Sequence, residues 1–589
     1  MNRQFKKSIL AVSLVAALTS CAEYSLPDGG EPSGKEVTVL TAQVAQTKSV
    51  LDGNKVYWTD GDRINVNGYD SDALYFNGET PATASFTIDA ALSGPLNAVY
   101  PSFIYKDAQT VTLPQEQMYQ AGSFGPDASP MLAYQTEGTS LTFSHPCAVL
   151  QIPLERDEDT HHIRYVEFRG NAGEQVCGDF TVDFENCELI PAGGGKTVRV
   201  YLNKKGDVDI CIVIPAGEYA DGYTVKVVDK QGHYMELSTS RRVVQKGTVY
   251  EMPVEEFVPT STTLEGASQP LRILGVGNSW TRDGMRYLSA LAKYADRKII
   301  VGHGYLGGST LEDQYKGIDD ETYTYVHSGK NQVVHNTYQY WKYDGTTNPT
   351  KTPADADGYD NGLGGIGVTL ESVVQDEPWD IIVFQPHVLV RNHMPPYEGF
   401  DINDLVARVK QMMDPEVAAK VRCGLVVPWT YAEGSEDKRQ AHIDVYEGGV
   451  WPEDQAAWDA HFERVHGYIQ EDIVKLADHM GDNCEFIINV GQAIYNSRKN
   501  PALSKYGYKL QRAVDDTHLA EGLPMMIASL CYAYELIDLG LGESTFYPTT
   551  SKIMTEEGIE TGETSVEDAR QAQLEAWRVH TSDALNSHR

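Results

Sequence analysis

Ser279 lies in LRILGVGNSWTRDGMRYLSALAKYA, residues 271–295, where an apolar run turns at Gly-Asn-Ser into a stretch of helical spacing. A hydroxyl on such a bend does chemistry only if a base reaches it. Far downstream, VDDTHLAEG sets Asp515 three residues before His518. At that spacing the carboxylate can hold one ring nitrogen while the other faces a serine hydroxyl. His518 would take the proton of Ser279, the alkoxide would attack a carbonyl carbon, and water would hydrolyse the resulting acyl-enzyme. Taken alone, Gly-Asn-Ser serves equally well as a helix cap and a single histidine as a packed or solvated residue, so the weight rests on the trio.

The surrounding elements must bring these groups together. Apolar runs LRILGVG, WDIIVFQP, VRCGLVVPW and CEFIINV alternate with segments of helical period, such as NDLVARVKQMM and residues 453–480. Continuous apolar strands with helices between them are what a parallel sheet covered on both faces requires, so residues 271–589 read as an α/β layer domain. Reactive groups in such sheets sit just past the carboxyl ends of the strands, and Ser279 is at that edge. Gly275 and Gly277 permit close backbone approach, while Met285, Leu288, Ala292 and Ala295 recur at helical spacing. A helix opening after the serine would aim its N–H groups back toward the hydroxyl. SVEDARQAQLEAWRVH, with Ser565 and Asp568 at capping-box spacing, reads as a terminal helix.

Residues 37–258 have a different period. KVYWTDGDRINV, ASFTIDA, SLTFSHPCAVLQIPL, DVDICIVIPAG and YTVKVVDKQGHYMELS alternate apolar and polar residues between turn formers, which predicts an all-β sandwich without a convincing helix. Residues 259–270, small and polar and closed by Pro270, read as a linker. Thr47-Lys48, VYWTDGDRINV and the closing GTVYEMPV make this half resemble the fimbrillin-like modules of Bacteroides-type surface lipoproteins. The His161-His162 pair reads as a solvated turn.

The first twenty residues, MNRQFKKSILAVSLVAALTS, have the charged start and short apolar core of an export signal. Leu18-Thr19-Ser20-Cys21 resembles a bacterial lipobox, which implies cleavage before Cys21 and its acylation, with residues 21–36 as a tether. The expectation is an outer-membrane lipoprotein held through Cys21 on the periplasmic or the surface face. A net charge of −35 argues against nucleic acid as a partner. If Cys21 carries lipid, seven of the eight cysteines remain and at least one stays unpaired. Cys177 and Cys187 flank a short loop in a compartment that permits a disulfide.

The blocks VGNSW around Ser279 and DDTHLAEG around His518 resemble the SGNH, or GDSL-like, hydrolase superfamily, over about residues 270–540. The resemblance implies a three-layer α/β fold and an oxyanion hole. GYLGGSTL matches the second block with Gly308, whose N–H would join that of Ser279. The third block normally offers an asparagine, where this chain has Gln385. Its amide, one methylene further out, is the expected third donor. Trp280, Tyr305 and Trp341, read as exposed aromatics, and His387 at the rim are the expected substrate contacts. The function implied is that of an anchored esterase removing a small acyl group, most plausibly acetyl, from a complex carbohydrate, with no cofactor. A lipid esterase and a glycan-binding surface adhesin with an inactive SGNH-like domain are the alternatives.

No metal is expected. DADGYDNG, residues 355–362, spaces acids as a calcium loop does, but Ile366 occupies the position that needs a bidentate glutamate. The aromatic run NTYQYWKYDG reads as a sugar platform or as packing on a long loop.

A histidine base must be neutral, so the rate should fall as the medium turns acidic. A profile flat from about pH 5 to about pH 8 would count against His518 as the base.

Overall fold

The computed structural model describes residues 37–44, 58, 61–74, 82–125, 128–155, 163–204, 207–230, 232–259, 261–262, 270–327, 330–343, 365–393, 400–431, 436–450, 455–506, 510, 517–555 and 558–581. The export signal, the tether, Cys21, Thr47-Lys48, His161-His162, the 355–362 segment and Asp515 lie outside the described residues.

Alternation sets up the β half. In Thr83–Ile88 the residues Ala84, Phe86 and Ile88 are buried while Thr83 and Ser85 face solvent. Sheets of three and four strands enclose one core, with Trp58 edge-on to Phe86 and Phe143. A second core lies between Cys147–Glu155 and Val208–Pro215 on one side and the strands Ile163–Gly170, Thr197–Lys204 and Tyr223–Asp229 on the other. A third cluster gathers Ile104, Val111, Leu113, Phe180 and Val213, so the β half has three separate cores where one sandwich was expected. Period-two alternation marks which face of a strand is buried, but not which strand covers it. Cys177 and Cys187 are both free thiols, so no bridge closes the loop between them.

In the second half, seven strands form one sheet. They are β1 (Leu271–Gly277), β2 (Ile299–Tyr305), β3 (Tyr338–Tyr343), β4 (Gly365–Val368), β5 (Ile381–Phe384), β6 (Arg422–Val426) and β7 (Phe486–Ile488), in the order β4-β3-β2-β1-β5-β6-β7. The run β2-β1-β5-β6-β7 is parallel, whereas β3 and β4 join antiparallel. This is an α/β region with a mostly parallel sheet. β1 sits inside it, and Ile273, Leu274 and Val276 are wholly buried. Helices α1 (Ser279–Met285) and α2 (Leu288–Tyr294) follow β1. Further along come α3 (Leu311–Asp319), α4 (Ile402–Met412), α5 (Gln455–Met480), α6 (Leu523–Leu536) and α7 (Val566–Thr581). α6 is apolar on every side, as a helix enclosed by others must be. The expected capping box opens α7, with Ser565 and Asp568 exchanging bonds of 3.1 and 3.2 Å. Among the described residues no helix is long and apolar enough to cross a membrane.

The two halves dock through a buried acid. Glu543 is wholly enclosed and binds Arg164 of the β half at 2.9 Å and Arg297 at 3.2 Å, while the Gly540 N–H donates to it at 2.8 Å. Beside it, Glu116 of the β half accepts the Leu541 N–H at 3.0 Å. Burial pushes the Glu116 carboxyl up to about 7, against the opposing pull of that N–H and of Arg199.

An unfolded glutamate releases its proton near ~4.3. Between that pH and about 7 the folded state keeps a proton that the unfolded chain has lost, so this contribution to stability fades as pH rises through the window. Glu116→Gln, neutral throughout, should therefore flatten the fall in unfolding midpoint across that range. Thermal melts of both proteins from about pH 4 to about pH 8 would check it.

Candidate functional site

The turn after β1 is built by close approach. A side-chain carbon at Gly277 would sit 2.5 Å from Gln385 Cβ and 2.6 Å from Thr281 Oγ1, so only glycine lets β5 and the first turn of α1 close on the strand end. Asn278 caps α1, its side-chain oxygen accepting the Trp280 N–H at 3.1 Å. Ser279 is thus the first helical residue, and its half-buried hydroxyl is not spent on capping. That hydroxyl lies 2.8 Å from His518 Nε2. The other ring nitrogen, Nδ1, lies 3.2 Å from Thr517 Oγ1. A proton on Nδ1 leaves Nε2 as the acceptor for the Ser279 proton.

Two clamps hold this pair. The Trp429 indole donates to the Thr517 carbonyl at 2.9 Å, just before His518. Trp429 also stacks on Trp280, just after Ser279, with centroids 4.4 Å apart and planes 13° from parallel. On the other side the Leu519 N–H donates to the Asp283 carboxylate at 3.1 Å. Asp283 is wholly buried, one helical turn beyond Ser279. From behind, Ser529 of α6 ties α1 down by donating to the Gly284 carbonyl at 2.8 Å and accepting the Tyr287 N–H at 3.0 Å.

The second block meets the same strand end. Leu306 N–H donates to Gly277 O at 2.9 Å, and the Asn278 side chain donates to Ser309 O at 3.3 Å. Buried Gln314 of α3 donates to Gly277 O at 2.8 Å and to Ser309 Oγ at 3.0 Å. Gly308 lies between these anchors, exposed and with φ +66°, a backbone that favours glycine.

Other expected residues fall elsewhere. Gln385 is 1% exposed and its amide donates to the neighbouring Pro386 carbonyl at 3.2 Å. That bond secures the end of β5. Trp280 and Tyr305 are 6% and 5% exposed, so neither is the surface aromatic that was expected. Trp280 is covered by Trp429, and the Tyr305 ring stacks on His303. Trp341 is 37% exposed, on β3. The aromatic run around it is therefore a strand of the sheet rather than a loop. His387 is half-buried, its Nδ1 accepting the Leu389 N–H at 3.2 Å. A cleft of about 2090 Å³ between the two halves is lined by none of Ser279, Gly308 and His518. No group of three or more potential metal ligands occurs among the described residues.

Sequence reasoning missed Trp429 and Asp283. Asp283 carries a signal, four residues after Ser279 and so on its face of the helix. Trp429 carries only its place beyond a strand end.

No family model and no curated protein matches the chain. Among solved structures it is similar to a DUF4886 family protein from Bacteroides uniformis, at 18% identity and TM-score 0.36, over 52% of this chain and 93% of that one. It is also similar to a "putative cell adhesion protein" from Bacteroides ovatus, at 14% identity and TM-score 0.27, over 39% of this chain and 95% of that one. A protein of the same description from Bacteroides uniformis matches at 13% identity and TM-score 0.23, over 36% and 92%. The reading of the site rests on its geometry.

Trp429→Phe keeps an aromatic ring but deletes the N–H that holds Thr517. The buried carbonyl left behind should lower stability by about 1–3 kcal/mol. Amide exchange at Leu519 should quicken by more than this global loss accounts for, and hydrogen-exchange spectroscopy on the two proteins would read both effects.

Proposed function

We propose that the α/β half is a serine esterase of the SGNH type, removing a small acyl group such as acetyl from a complex carbohydrate. The single observation that carries the reading is the 2.8 Å contact between Ser279 Oγ and His518 Nε2. His518 takes the hydroxyl proton as Ser279 attacks the ester carbonyl. The tetrahedral intermediate collapses when that proton passes to the departing sugar oxygen, leaving the acyl group on Ser279. Water, deprotonated by His518, then releases the acid and restores the serine. The resemblance assigns the N–H groups of Gly308 and Ser279 to the developing negative charge. Asp515 is the acid assigned to His518 by the resemblance. Losing one oxyanion donor typically costs on the order of a hundredfold, so with the Gln385 amide bonded to Pro386 a slow enzyme is expected. The sugar assignment leans on exposed Trp341 and on the β half as a presenting module. Cys21 would carry the lipid that keeps the protein at the outer membrane.

A second reading, a surface adhesin that binds glycan without turnover, is favoured by the burial of Gln385. The names of two solved neighbours also refer to cell adhesion.

Hydrolysis of p-nitrophenyl acetate by the full chain, with Ser279→Ala beside it, separates the two. The esterase should lose on the order of a thousandfold or more in kcat on that substitution. Equal rates from both proteins would leave the adhesin.

A further inference from the structure

The hairpin Thr324–His327 and Lys330–Val333, joined antiparallel, lies over the second block. Tyr325 and His327 are two apart on one strand and so share a face, and that face covers Gly307-Gly308. The Tyr325 hydroxyl donates to the Gly307 carbonyl at 2.7 Å. The His327 ring lies against the same dipeptide. A side-chain carbon added at Gly308 would come within 2.3 Å of Nδ1, and one at Gly307 within 3.4 Å of Nε2.

The Gly307 carbonyl and the Gly308 N–H belong to one peptide group. That group is planar and trans, so fixing the oxygen fixes the N–H pointing the opposite way. With glycine on both sides, little else resists rotation of this peptide about its flanking bonds. The anchors at Leu306 and Ser309 hold the ends of the turn but leave its middle peptide to find its own orientation.

We propose that Tyr325 is a positioning residue, holding the Gly307–Gly308 peptide so that the Gly308 N–H points into the oxyanion site beside Ser279. The inference rests on the esterase reading above. A hydrogen bond to the carbonyl also polarises the peptide and strengthens its N–H as a donor. The phenol keeps its proton for this purpose, since burial, reinforced by the Asp313 charge, holds it well above the usual tyrosine range. Gln332 Oε1, at 3.4 Å, is the weaker of the two acceptors within its reach.

The test is Tyr325→Phe in the full-length protein, which keeps the buried ring and deletes only the hydroxyl. On p-nitrophenyl acetate kcat should fall by about ten- to a hundredfold while KM stays within about twofold, because the oxyanion exists only near the transition state. Phenylboronic acid, which adds to the Ser279 oxygen and places a tetrahedral boron with its oxygens at the site, should bind more weakly by a comparable factor. Because the Gly307 carbonyl is only part-buried, the unfolding midpoint should fall less than in Trp429→Phe. An unchanged kcat in an otherwise active protein overturns the proposal. So does a fall in kcat accompanied by matching changes in KM and melting temperature, which would mark a packing role. If the wild type is no faster than Ser279→Ala, the esterase reading fails and this inference falls with it.

Discussion

Everything at the site depends on how two short pieces of chain, 239 positions apart in sequence, are held face to face. Neither Ser279 nor His518 is positioned by its own segment alone. The Trp429 indole grips the carbonyl before His518, and Asp283 takes the N–H after it. Both clamps lead back to α1, through the Trp280 stack in one case and directly in the other. A histidine fixed on both sides has little freedom to leave the serine, and the ordering cost is met during folding rather than at the moment of reaction.

The same economy governs the strand ends. Gly277 lets β1, β5 and α1 converge within van der Waals contact, and its carbonyl receives both Leu306 and Gln314. The turn that bears Gly308 is therefore fastened to the residues immediately before Ser279. Because these bonds are buried, each would leave an orphaned polar group if broken, which makes the arrangement cooperative. The contact of the β half with the α/β half includes Glu543, two arginines and Glu116.

Much of the fold was legible in the sequence for a simple reason. Buried parallel strands must be continuous apolar runs, so LRILGVG, WDIIVFQP, VRCGLVVPW and CEFIINV each mark a strand of the sheet. The helices at 402–412, 455–480 and 566–581 were likewise marked by their period. β3 was not, because Tyr338–Tyr343 is aromatic and polar, and joins the sheet antiparallel near its edge. Nor was the division of the β half into three cores, since strand partners are chosen by packing.

The residue types and spacing by themselves determined that Ser279 stands at a strand end before a helix, and that a histidine capable of serving it lies near the other terminus. Tertiary structure decided the rest. It brought the hydroxyl and imidazole to hydrogen-bonding distance, turned Gln385 inward, covered Trp280 with Trp429, and set Tyr325 over the Gly307–Gly308 peptide. The physical reason is that a side chain's chemistry is local and readable, whereas its exposure and direction are set by whatever distant segment packs against it, and that choice belongs to the folded chain as a whole.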